Sequence, residues 1–106
     1  MVIRRFDVYL TALDPAVGVE MRKTRPCLVV SPESMHRYVE TVIVAPLTSA
    51  QASYPTRVRC RFAGKTGQVA LDHLHAVDRS RLIKRLGRFD DATSAAVVTA
   101  LLKLFA

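Results

Sequence analysis

Cysteine is scarce: two in 106 residues, Cys27 and Cys60, with no Cys-x-x-Cys spacing. That pattern argues against a zinc ribbon or a thioredoxin-like centre and for two buried, reduced thiols. No apolar run reaches the roughly 20 residues needed to span a bilayer. The start, Met1-Val2-Ile3-Arg4-Arg5-Phe6-Asp7, has no apolar stretch of signal-peptide length, so a cytoplasmic location and no membrane association are expected. Nucleotide-binding and hydrolase signatures are missing too. Gly64-x-x-Gly67 lacks the Walker lysine and serine, and no Gly-x-Ser-x-Gly elbow occurs. Repeats, linkers and low-complexity tracts are absent as well. The acidic side of the charge balance is thin, nine Asp and Glu against sixteen Lys and Arg, for a net +7. Such an excess suits an anionic partner.

Half of the residues are hydrophobic and about a quarter charged, the profile of an ordered globular chain. At this length one domain over 1–106 is expected, able to bury roughly 60–70% of its extended-chain surface without disulfides. The charge is uneven. Residues 1–53 carry six basic and five acidic side chains, whereas residues 54–106 carry ten and four. Anion attraction is therefore expected in the second half, at Arg57, Arg59 and Arg61 and again at Arg79, Arg81, Lys84, Arg85 and Arg88.

Short strands are predicted over Phe6–Leu13, Cys27–Val30, Thr41–Ala45 and Gln68–Leu71, each bounded by breaker residues. Residues 32–40 read as a helical turn or a polar connection, and residues 79–88 as a helical turn leading into a strand. Thr56–Phe62 alternates most clearly, with Val58, Cys60 and Phe62 on one face and Arg57, Arg59 and Arg61 on the other. Ala63–Gly67 reads as a turn. A final helix is capped by Asp90 or Asp91. Its Val97, Val98, Leu101, Leu102, Leu104 and Phe105 form a broad apolar stripe to be buried against the sheet or a second subunit. The pattern implies a compact, curled sheet or small barrel with one terminal helix.

Three local features bear on chemistry. His73 and His75 share a face if Asp72-His73-Leu74-His75 is a strand, a spacing that permits a metal pair but more commonly marks surface or hydrogen-bonded histidines. Arg22-Lys23-Thr24-Arg25-Pro26 leads basic residues into an apolar strand; Pro26 holds Arg25 extended, where its planar fork suits a phosphate. Ala45-Pro46-Leu47-Thr48-Ser49 reads as an irregular strand end bearing hydroxyls.

These two last features belong to a longer set: Leu13-Asp14-Pro15, Gly18-x-Glu20, Lys23-Thr24-Arg25-Pro26, Val29-Val30-Ser31-Pro32, Thr41 to Ser49, Tyr54-Pro55-Thr56-Arg57-Val58, Gly64-Lys65-Thr66-Gly67 and Val77-Asp78-x-x-Arg81-Leu82. In order and spacing the set resembles the MazF/PemK family of toxin endoribonucleases, from about Arg5 to Phe105. The resemblance implies a mainly β fold, a small SH3-like barrel with a C-terminal helix, usually a homodimer. It implies cofactor-free, metal-independent cleavage of single-stranded RNA, mRNA included, at short sequences. It further implies neutralisation by an antitoxin with an acidic, disordered tail, which would suit the +7 charge, with operator DNA engaged only through that antitoxin.

By position, the family's catalytic arginine and threonine fall on Arg25 and Thr48. The implied reaction is attack of a ribose 2′-OH on its own phosphate, giving a 2′,3′-cyclic phosphate and a 5′-OH end. An arginine is a poor general base, so Arg25 is expected to stabilise the phosphorane-like state and Thr48 to hydrogen-bond the scissile phosphate. Substrate contacts are expected from Pro15, Gly18, Glu20, Lys23, Ser31, Pro46, Ser49, Arg57, Asp72, His73 and His75. The chain departs from the family pattern at Val19, at His36 in place of an asparagine, at His73 and His75 in place of a glutamine and an arginine, and at Phe6 in place of a glycine. The histidines offer groups that titrate near neutrality. The departures also motivate a second reading, a catalytically weak protein that binds an antitoxin and joins in operator repression. A third, a gyrase poison like the related CcdB toxins, is not expected to keep the Arg-Pro and Pro-Leu-Thr pair.

Overall fold

A computed structural model describes residues 2–13, 18, 20, 21 and 23–106. The elements run β1 (Asp7–Ala12), β2 (Thr24–Val29), α1 (Glu33–His36), β3 (Thr41–Thr48), β4 (Arg57–Phe62), β5 (Lys65–Ala70), β6 (His75–Asp78), β7 (Leu82–Arg88) and α2 (Asp91–Phe105). Single 3₁₀ turns at Leu71–His73 and Arg79–Arg81 flank β6. All pairings are antiparallel, in the order β4-β5-β3-β2-β1-β7, with β6 also on β3. The result is the expected curled β-sheet, a half-barrel closed by a C-terminal helix.

β3 is the centre of this arrangement. One edge pairs with β2 through Val44, Ala45 and Pro46. The other edge pairs first with β6, over Thr41–Val44, and then with β5, at Leu47 and Thr48. Pro46 falls in the gap between the two partners. It has no N–H to donate, so the position where the ladder is interrupted is where a proline costs least. The expectation that the strand ends irregularly at Pro46 is thus corrected: β3 continues through it to Thr48. β2 likewise begins at Thr24 rather than Cys27, which places Arg25 inside the strand opposite Thr11.

Alternation sorts the apolar residues into two cores. Tyr9, Cys27, Val29, Val42 and Val44 join Ile3, Leu13, Val77 and Leu82 on one face. Val8, Leu28 and Ala45 face the other way, with Val58, Cys60, Val69, Leu71, Phe89 and Val97. The two cysteines are therefore free and lie in separate cores. Asp90 caps α2, its carboxylate accepting from the Thr93 N–H at 2.7 Å. Only a narrow part of the expected stripe is covered: Val97 is fully buried and Leu101 partly, whereas Leu102 and Phe105 are 67% and 73% exposed.

The β4–β5 hairpin turns on Ala63 and Gly64, both with positive φ (52° and 77°), the geometry that matches strand twist in a two-residue loop. Phe6 also has φ of 74°, a conformation in which glycine is the ordinary choice. Its N–H donates to the Val29 carbonyl at 2.7 Å, its carbonyl accepts from the Phe89 N–H at 3.0 Å, and its ring packs on the second core.

Ser31 and His36 form a buried relay. The Ile43 N–H donates to Ser31 Oγ at 3.0 Å, and His36 Nδ1 lies 2.9 Å from the Ile3 carbonyl, which can only accept. Nδ1 therefore carries a proton, and in the neutral ring Nε2 accepts from the Ser31 hydroxyl at 2.7 Å. Ser31→Ala removes the partner of both the Ile43 N–H and the His36 ring; unfolding in urea should show a loss of about 1–3 kcal/mol. A variant as stable as the parent would show that the relay contributes nothing.

Candidate active site

Pairing of β2 with β3 sets Arg25 beside Leu47 and Thr48. The half-buried Arg25 guanidinium makes two long contacts through Nη1, to the Leu47 carbonyl at 3.5 Å and to Met21 Sδ at 3.6 Å. Its Nε is buried with no hydrogen-bond partner among the described residues. Thr48 Oγ1 accepts from the Ala50 N–H at 3.1 Å, which leaves the hydroxyl proton available for an acceptor outside the chain. Both side chains line a groove of about 450 Å³, with Ser49 and with Phe62, Lys65, Gly67 and Leu86. Its walls are largely apolar, and charge interactions strengthen where water is excluded.

A second groove, about 230 Å³, is lined by Leu13, Glu20, Met21, Pro46, Asp72, His73, Leu74 and His75. Arg25 touches Met21 in this groove while lining the first, so it stands at the junction of the two. Eight of the thirteen expected site residues are thereby gathered: Arg25, Thr48 and Ser49 in one groove, Glu20, Pro46, Asp72, His73 and His75 in the other. Gly18 is exposed with φ of 60°, and the exposed Lys23, with φ of 65°, immediately precedes β2. Pro15 and Val19 lie outside the described residues.

Three expectations need correction. Ser31 is 2% exposed and its hydroxyl serves the relay described above, so it is not placed to meet a substrate. His73 and His75 do not share a strand, because His73 ends a 3₁₀ turn and His75 opens β6; they meet at the second groove instead. Arg57 does not belong to an open cationic face with Arg59 and Arg61. It is folded onto Asp72 in a two-point ion pair, Nε to Oδ1 at 2.8 Å and Nη2 to Oδ2 at 3.2 Å, and its guanidinium lies 5.2 Å from the Tyr54 ring centre. Thr56 also donates to Asp72 Oδ1 at 3.1 Å, and His73 Nε2 lies 3.5 Å from Oδ2.

The ionisable groups follow from these neighbours. The Arg57 hydrogen bonds hold the Asp72 carboxyl below the usual carboxylate range, opposed by partial burial and aided by Thr56. Burial pushes the Cys27 thiol up to about 11, and raises Cys60 as well. Cys60 lines the first groove, but a thiol held protonated is a poor nucleophile. Among the described residues, no three His, Cys, Asp or Glu side chains converge as a metal-binding set, and no helix is long and apolar enough to cross a membrane.

Lys65, Gly67, Phe62 and Leu86 were not expected at the site. The first two fell in a stretch read as a turn. In the structure only Ala63 and Gly64 turn, and the rest returns as β5 against Thr48. A glycine inside a strand often marks a close backbone approach, and Gly67 does so: a Cβ there would lie 2.6 Å from the Thr48 carbonyl oxygen.

The structure is a small curled half-barrel in which an arginine and a threonine hydroxyl line one apolar-walled groove, and comparison with known proteins assigns it to a family. The family of PemK-like, MazF-like toxins of type II toxin–antitoxin systems matches residues 4–105. Endoribonuclease EndoA of Bacillus subtilis (strain 168) is 33% identical over 97 residues, covering 86% of this chain and 84% of that protein. Crystalline MazF from Deinococcus radiodurans superposes with a TM-score of 0.85 at 28% identity, covering 99% of this chain and 97% of that one. A mycobacterial endoribonuclease in complex with its cognate antitoxin gives 0.82 at 26% identity, over 97% and 94%. The chain belongs to the PemK/MazF family of toxin endoribonucleases.

Because folding lowers the Asp72 pKa, its contribution is present above the ordinary carboxylate range, near pH ~4, and is lost as pH falls through the native value. Asp72→Asn should therefore be less stable than the parent at neutral pH, by about 1–3 kcal/mol, because the pair is mostly shielded from solvent and the Arg57 guanidinium loses its charged partner. Thermal unfolding across pH 2–7 should show that gap closing in acid; a constant gap would assign it to packing.

Proposed function

We propose that this chain cleaves single-stranded RNA by transesterification, without a metal, and is held inactive by an acidic antitoxin. The observation that carries this reading is the convergence of Arg25, with an unpartnered Nε, and Thr48, with a free hydroxyl proton, in one groove. In the reaction the ribose 2′-OH gives up its proton to solvent as its oxygen attacks the adjacent phosphorus, and the P–O5′ bond breaks. The electron pair of that bond goes to the 5′ oxygen, which takes a proton from solvent. The products are a 2′,3′-cyclic phosphate and a 5′-OH end. Arg25 neutralises the charge that grows on the non-bridging oxygens, and the Thr48 hydroxyl donates to the same phosphate. Asp72 is committed to Arg57, and the two thiols stay protonated, so none of the three serves as base or nucleophile. Dependence on the 2′-OH selects RNA over DNA.

The second groove, beyond Arg25, would take the neighbouring nucleotides, with Glu20, Asp72, His73 and His75 facing the bases or backbone. Exposed Arg59, Arg61 and Lys65 on the β4–β5 hairpin beside the first groove would attract RNA and an acidic antitoxin tail alike. Retention of the Arg25–Thr48 pair favours the cleaving reading over one of antitoxin binding alone, and over gyrase poisoning.

Long mixed-sequence RNA incubated with the protein in EDTA should yield 5′-OH ends at one short sequence. Arg25→Ala or Thr48→Ala should lower the rate about 100-fold or more, as loss of one charge-stabilising donor does elsewhere, and a 2′-deoxy nucleotide at the cut should block it. Folded protein that binds an antitoxin but makes no ends at any pH would move the reading to binding alone.

Among the exposed apolar residues, Ile83 and Leu86 on the edge strand β7 and Leu102 and Phe105 on α2 suit cover by a second copy of the chain. Sedimentation should give a dimer, weakened by Phe105→Asp; a monomer at tens of micromolar would remove that assignment.

A further inference from the structure

The β3–β5 ladder is two rungs long, Leu47 with Val69 and Thr48 with Gln68. It stops at Thr48, where the chain leaves the sheet. A side chain continues it. Gln68 is 8% exposed, and its amide reaches past the last rung to a single residue of the departing segment. Nε2 donates to the Ala52 carbonyl at 2.9 Å, and Oε1 accepts from the Ala52 N–H at 3.2 Å. These two bonds fix the orientation of the amide. They also do for Ala52 what a further backbone rung would do. Nε2 lies 3.4 Å from Gln51 Oε1 as well, and the Gln51 amide in turn donates to the Ser49 carbonyl at 3.4 Å.

The consequence falls on Thr48. Its Oγ1 is oriented by the Ala50 N–H, and Ala50 sits midway in the segment whose far end Gln68 pins. From the other side the Thr48 peptide is held by bare backbone, since a Cβ on Gly67 would reach within 2.6 Å of the Thr48 carbonyl oxygen. Gln68 does not line either groove, so it does not meet substrate.

We propose that Gln68 is a positioning residue: its two-point grip on Ala52 closes the 48–52 turn so that the Ala50 N–H holds the Thr48 hydroxyl toward the scissile phosphate. This rests on the reading of Thr48 as a phosphate donor. Small displacements of a reacting group are costly, of the order of 100-fold for about 1 Å.

The test is RNA cleavage by wild type, Gln68→Leu, Thr48→Ala and the double variant, with melting temperatures measured alongside. The expected result is a kcat about 10- to 100-fold lower for Gln68→Leu, KM within about twofold, and little further loss in the Thr48→Ala background. Full kcat in folded Gln68→Leu, or a loss that multiplies with that of Thr48→Ala, overturns the proposal while leaving the role of Thr48 intact. Wild-type rates in Thr48→Ala would instead remove the reading of Thr48, and the proposal with it. Hydrogen exchange on the unaltered protein gives a check that needs no variant to fold: the Ala52 amide should be protected, and exchange at the free-loop rate would show that the grip does not exist.

Discussion

One eight-residue strand holds the molecule together by changing partners. β3 lends its first half to β6 and its last two residues to β5, while its opposite edge stays with β2. The change is possible because the residue at the gap is Pro46, which has no N–H to leave unsatisfied. Three strands that carry site or supporting residues pair with β3. The β2 pairing delivers Arg25, the β5 pairing delivers Gly67 and Gln68, and the β6 pairing delivers His75. A residue with a free donor at position 46 would leave an amide facing the gap, where neither partner offers a carbonyl in register.

Charge has two uses in this chain. Several of the second-half cations that composition assigns to anion attraction are occupied by the protein's own carboxylates. The Asp7 side chain is 2% exposed and receives Arg85 at 3.3 Å and Arg88 at 3.2 Å, while Asp72 takes Arg57. A buried carboxylate needs such partners, because an unpaired charge in that position costs several kcal/mol. The field available to a polyanion therefore comes from fewer side chains than the basic residues of the second half suggest. Exposed Arg59, Arg61 and Lys65 on the β4–β5 hairpin contribute to it, Lys65 in the same groove as Arg25.

What could be read in advance was what local rules govern. The period-two pattern of β4, the Asp90 cap and the split of residues 79–88 into a turn and a strand are each set within a few residues, and each appears as expected. The Arg25–Thr48 pair was legible through likeness to a family of known proteins and not through spacing, since nothing in 22 intervening residues states that two strands will meet. The polar contacts that escaped each depend on a partner that another segment brings. Arg57 looked like its neighbours Arg59 and Arg61 until Asp72, fifteen residues on, claimed it. Ser31 looked like a hydroxyl awaiting a substrate until α1 brought His36 beneath it. Gln68 gave no signal at all, because a glutamine in a short strand is ordinary unless one knows which segment ends beside it.

Phe6 ties two distant parts of the chain through the backbone of one residue. Its N–H reaches the end of β2 at Val29, and its carbonyl receives the Phe89 N–H one residue ahead of the cap of α2. The left-handed backbone that permits both bonds costs a phenylalanine energy that only the surrounding contacts recover. The first residues and the last helix are in consequence one cooperative unit, not two independent tails. If that seam opens, both ends of the chain become free together, and the Val97 side of the second core opens with them.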